Sequence, residues 1–104
     1  MKTLLDLDDV LGALPAHGAW KVQDNRIVCE FRFDDFVGAF AFMTKLAFLA
    51  EKAGHHPDIF NSYSRVRVEL HSHDAGGITQ RDLDMAHAIA ELQSGGRSAG
   101  GENR

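Results

Sequence analysis

The chain holds a single cysteine, Cys29, so no intrachain disulfide can staple it. That residue lies between Val28 and Glu30 in a strand-like run and reads as a small buried hydrophobe. No stretch approaches the roughly 20 apolar residues that span a bilayer. The opening Met1-Lys2-Thr3-Leu4-Leu5 resembles a signal peptide only until Asp6, Asp8 and Asp9 break the apolar run. These absences argue against a membrane role and make the cytoplasm the default compartment. A basic cluster is also missing. Lys and Arg number 11 against 15 Asp and Glu, a net charge of -4, and Arg65 and Arg67 form the one close basic pair in mid-chain. Nucleic acid is therefore not expected as a partner, because phosphate contacts need a basic patch. There is no H-E-x-x-H pattern, and no internal repeat is strong enough to argue from.

What is present is the composition of an ordinary globular protein, 44% apolar and 25% charged over 104 residues. One domain is expected over 1–93, large enough for a core without disulfides or metal. From Ser94 the chain turns to Gly, Ser and charge, so 94–104 is expected to be a flexible tail.

Leu7, Val10, Leu11 and Leu14 recur at helical spacing, with Asp6 placed to cap and Pro15 and Gly18 closing the segment. Trp20 and Val22 begin a strand, and Asp24-Asn25 is a turn signal. Ile27, Cys29, Phe31 and Phe33 then alternate with Val28, Glu30 and Arg32, so residues 19 to 33 read as a hairpin. A long helix is expected over 34–53, opened by Asp34-Asp35 and ended by Gly54. It carries two apolar stripes, one of Phe36, Phe40, Met43, Ala47 and Ala50, the other of Ala39, Phe42, Leu46 and Leu49. A helix covering a sheet needs one, so the second is expected to meet another subunit. Residues 57 to 63 read as a short strand. Strict alternation follows from Arg65 to Ser72, with Val66, Val68 and Leu70 on one side. Thr79 caps a last helix, with Asp82 three positions on as a variant capping box. The order α-β-β-α-β-β-α, with two hairpins, predicts an α+β fold: a four-stranded antiparallel sheet with three helices packed on one face.

The histidines are unevenly placed. His55 and His56 follow the long helix and precede Pro57, while His71 and His73 end the last strand. His17 and His87 stand alone and read as surface residues. A His-His-Pro junction sets two imidazoles on backbone stiffened by proline. Imidazole ordinarily titrates at about 6.5 and can give or take a proton near neutrality. Three readings compete for the cluster: surface histidines without function, a metal site, and acid–base chemistry by His55, His56 and His73. Adjacent residues rarely reach one ion, and no further ligand motif supports a metal.

Longer runs carry a resemblance. Phe42-Met43-Thr44, Ala50-Glu51-Lys52 and His55-His56-Pro57-Asp58 are followed by Val66-x-Val68-x-Leu70. Then come Ser72-His73-Asp74-x-Gly76-Gly77-Ile78-Thr79 and Asp82. Over roughly residues 20 to 92 the chain resembles the pterin-4a-carbinolamine dehydratases. The resemblance implies the same α+β fold and catalysis by His55, His56 and His73. It implies a substrate site touching Glu51, Pro57, Ser72, Asp82 and Trp20. It implies no metal and no cofactor, a 4a-hydroxytetrahydropterin as substrate, and a homodimer or homotetramer formed through the 34–53 helix. Some animal relatives also act as dimerization cofactors of a transcription factor. Others resemble assembly chaperones for Rubisco and tend to lack the full histidine set. A non-catalytic interaction protein is therefore the alternative reading. The chain departs from the family in having Ser72 where threonine is common, Ile59 ahead of Phe60, and His71 at a position without an assigned role.

Overall fold

The computed structural model describes residues 3–98, with side chains to 93; residues 1–2 and 99–104 lie outside the description. Its elements run α1 (Leu7–Ala13), β1 (Lys21–Gln23), β2 (Arg26–Arg32), α2 (Phe36–Ala53), β3 (Asp58–Ser62), β4 (Arg65–Leu70) and α3 (Gln80–Ser98). The order is the expected one. The helix α3 is continuous through Ser98, and the flexible tail expected over 94–104 falls, from residue 99, outside the described residues.

Asp24 and Asn25, with φ of 52° and 60°, form the two-residue turn of the first hairpin. Positive φ at both positions matches the right-handed twist of the flanking strands, and Asn and Asp tolerate it. All pairings are antiparallel, in the order β1-β2-β4-β3. In the centre, Ile27 faces Leu70, Cys29 faces Val68 and Phe31 faces Val66. These six side chains are buried and form the sheet's contribution to the core. The opposite face is charged, with Glu30 beside Arg67 and Arg32 beside Arg65. Trp20 sits in the same core and meets Phe31 edge-on, ring centroids 5.9 Å apart.

The Asp35 side chain caps α2 by accepting from the Gly38 N–H at 2.8 Å. Helix α2 buries Ala39, Phe42, Leu46 and Ala50 against the sheet. This is the second of the two stripes, except that Ala50 replaces Leu49, which is partly buried. Of the other stripe, Met43 turns partly inward, while Phe36 and Phe40 stay exposed. Val37 and Phe48, each 74% exposed, extend that outward apolar face. Among the described residues no helix is long and apolar enough to cross a membrane.

Candidate functional site

Three chain segments meet beside α3: the end of α2, the turn after β4, and the first turn of α3. Gly54 ends α2 in the left-handed region, φ 64°, and the His55 N–H returns to the Ala50 carbonyl at 3.2 Å. This six-to-one closure fixes where His55 leaves the helix. Glycine suits the position because it bears no Cβ penalty at positive φ. The second turn is built on Ser72, whose N–H donates to the Gly77 carbonyl at 2.7 Å, while its own carbonyl accepts from Ala75 and Gly76. The two glycines of the Asp-x-Gly-Gly run have different reasons. Gly76 needs its φ of 80°, whereas a Cβ on Gly77 would stand 2.9 Å from the Asn25 side chain.

Asp82 joins these segments. Its side chain is fully buried, and one oxygen, Oδ1, lies 2.5 Å from His55 Nε2. The other, Oδ2, accepts from the Ser72 hydroxyl at 2.8 Å and from the Thr79 N–H at 2.9 Å. The Thr79 bond is one half of the capping box anticipated from sequence. The Ser72 hydrogen is spent on Asp82, so the Thr79 hydroxyl, 2.9 Å away, donates to Ser72. A carboxylate only accepts, so His55 Nε2 carries its hydrogen toward Asp82. In the neutral ring, Nδ1 is then the lone-pair nitrogen. The His55 ring is only 11% exposed, which holds it in this pose.

His56 is more open. Its Nε2 lies 2.7 Å from Glu51 Oε2, one helical turn back, with both side chains more than half exposed. His73 is exposed immediately after Ser72, and Asp74 beside it pairs with Arg81 of α3 at 2.8 Å. Pro57 is half-buried between the histidine pair and β3. A groove of about 460 Å³ opens beside His55, floored by Leu49, Ala53, Met85 and Ala88 and edged by Lys52, Arg81 and Asp84.

The hydrogen bonds thus link His55, Ser72 and Asp82 directly and place His73 one residue from that network. Glu51 and His56 form a separate exposed pair. Trp20 lies in the hydrophobic core with Phe31. His87, read as a surface residue, joins α3 to α1 through its Nε2, 2.7 Å from the Ala13 carbonyl. His71 and Asp58 escaped the sequence reading as a unit, and their Nε2 and Oδ2 atoms lie 3.4 Å apart. Among the described residues no set of three or more His, Cys, Asp or Glu could hold a metal ion.

Comparison with known proteins identifies the family. The family model described as "Pterin 4 alpha carbinolamine dehydratase" matches residues 3–92. A protein of Chloroflexus aurantiacus named "Putative pterin-4-alpha-carbinolamine dehydratase" is 53% identical over 73 residues, 70% of this chain and 78% of that one. A protein of the same name from Acidobacterium capsulatum is 50% identical over 86 residues, 83% of this chain and 90% of that one. Among solved structures, a transcriptional coactivator/pterin dehydratase from Brucella melitensis superposes with a TM-score of 0.73 at 39% identity, covering 83% of this chain and 90% of its own. A pterin dehydratase-like protein described as a RuBisCO assembly factor shares the fold, with a TM-score of 0.59 at 23% identity over 74% of this chain and 90% of its own. A match over nearly the whole described chain, together with relatives at 50% identity and above, means that this chain belongs to the pterin-4a-carbinolamine dehydratase family.

Proposed function

We propose that the protein dehydrates a 4a-hydroxytetrahydropterin to the quinonoid dihydropterin, with His55, His56 and His73 as acid and base. The observation that carries the reading is the buried Asp82 carboxylate, which fixes the tautomer of His55 and is tied through Ser72 to the segment bearing His73. The C4a hydroxyl leaves as water once an acid protonates it. The N5–H bond gives up its proton to a base, and its electrons form the C4a=N5 double bond as the C–O bond breaks. One acid and one base suffice, each contributing about 10²–10⁴-fold.

His55, with Nε2–H committed to Asp82, offers Nδ1 as the base or as an acceptor for the substrate. His56 or His73 supplies the proton to the departing hydroxyl. Glu51 orients His56, and Pro57 and Ser72 shape the wall of the site. The chemistry requires no metal and no cofactor. The working domain is 1–93, the setting is the cytoplasm, and the product feeds the recycling of a reduced pterin cofactor.

The outward face of α2, with Phe36, Val37, Phe40 and Phe48, favours self-assembly as a dimer or tetramer. The two solved neighbours, one described as a transcriptional coactivator/pterin dehydratase and the other as an assembly factor, suggest the second reading, a partner-binding protein using that surface. The presence of His55, His56 and His73 together favours the enzyme.

The test is decay of the 4a-carbinolamine, generated in situ by an aromatic amino acid hydroxylase and followed by ultraviolet absorbance. Wild type accelerates the decay, and His55→Ala, His56→Ala and His73→Ala each lose a large part of the effect while staying folded. Decay at the uncatalysed rate with wild type would move the partner-binding reading to first place.

A further inference from the structure

His71 has no part in the chemistry above. Alternation along β4 puts it on the open, charged face of the sheet, one residue beyond the strand, yet its side chain is only 11% exposed. Two contacts account for this. Its Nε2 lies 3.4 Å from Asp58 Oδ2. Its ring meets that of His73 at 67°, with centroids only 4.0 Å apart. The strand register explains the first contact, since β3 pairs Asp58 with Glu69, two residues before His71 on the same face. Asp58 is steadied in turn by Arg26, 3.7 Å away, which also pairs with Glu69 at 2.9 Å. Asp58 of β3, itself held by Arg26 of β2, therefore meets the imidazole that follows β4, and that imidazole abuts His73.

We propose that His71 is a positioning residue for His73: Asp58 anchors the His71 ring, and the ring holds the His73 imidazole edge to face at the angle the dehydration uses. The inference rests on the dehydratase reading. His73 sits exposed in a turn, where a free side chain would sample several staggered rotamers. Placement of a reacting group matters steeply, and a misplacement of about 1 Å can cost on the order of 10²-fold. A packed neighbour removes alternative rotamers without touching the substrate.

The experiment compares wild type with His71→Ala, His71→Phe and Asp58→Asn by dehydratase kinetics and by ¹H–¹³C spectra of the His73 ring. His71→Ala lowers kcat about tenfold with KM changed less than about twofold, and the His73 ring protons lose the ring-current shift of the neighbouring imidazole. His71→Phe keeps an aromatic neighbour, retains most of that shift and recovers most of kcat. Asp58→Asn, with a weaker anchor, falls between wild type and His71→Ala. An active wild type with unchanged kcat in His71→Ala overturns the proposal and leaves the dehydratase reading intact. Equal losses in the Ala and Phe variants, alongside equal losses of thermal stability, overturn it as well, because the ring would then be serving the fold alone. A wild type that fails to accelerate the decay removes the dehydratase reading, and the proposal with it.

Discussion

Asp82 carries two duties on one carboxylate, closing the first turn of α3 and holding His55. Asp82→Asn keeps the shape but turns one acceptor into a donor facing Ser72, Thr79 or His55. We expect activity to fall about 10²-fold and stability by about 1–3 kcal/mol. Steady-state kinetics beside a thermal melt checks both. Glu69 gives a pH prediction away from the site. Arg67 Nε donates to it at 2.7 Å, and with Arg26 holds its carboxyl below its ordinary value of 4.5. A depressed folded value means the unfolded chain binds more protons in that window. The contribution is therefore present above about pH 4.5 and lost as pH falls through the lower folded value. Glu69→Gln flattens the decline of stability with acid, as urea midpoints at pH 3.5 and 7 would measure. Burial pushes the Cys29 thiol up to about 11, so a thiol-alkylating reagent at pH 8 modifies it only as fast as the chain unfolds. Sequence singled out His55 and His56 as an adjacent pair before Pro57, and His73 by the Asp-x-Gly-Gly run that follows it. It could not reveal the contact of Asp58 with His71, which depends on strand register between β3 and β4.

At the scale of elements, the strongest signals were those with a single physical solution. Asp24-Asn25 permits a tight turn of positive φ, Gly54 permits a left-handed helix end, and alternation from Arg65 permits one buried side. The division of α2 into two stripes was less legible, because Met43 and Ala50 lie near the boundary between them and only the angle of α2 on the sheet decides their side. Trp20 is similar: an aromatic at a strand start serves a core or a ligand equally well by pattern, and here it meets Phe31. Gly54→Ala isolates one such element. A Cβ there would meet nothing within 4 Å, so its cost is backbone strain alone, about 1 kcal/mol. It also disturbs the closure that aims His55, so we expect a lower kcat than the small stability change explains, read by kinetics after a guanidinium titration.

At the scale of the whole molecule, most of the exposed apolar face lies at the start of α2, whereas the His55-His56 pair follows its end. Phe36, Val37 and Phe40 lie in its first turns, and His55 follows its last. A charge on the exposed face, Phe40→Glu, is expected to lower the oligomeric mass seen by sedimentation while leaving the helical signal and the monomer's fold unchanged. If mass does not change, the face serves another partner. The double duty of Asp82 has a consequence for judging relatives of this chain. A lineage that abandoned the reaction would be free to lose His55, His56 and His73, yet it would still need an acid to close the last helix. Persistence of that acid is therefore a poor guide to which relatives remain enzymes, whereas loss of the imidazoles around it is an informative one.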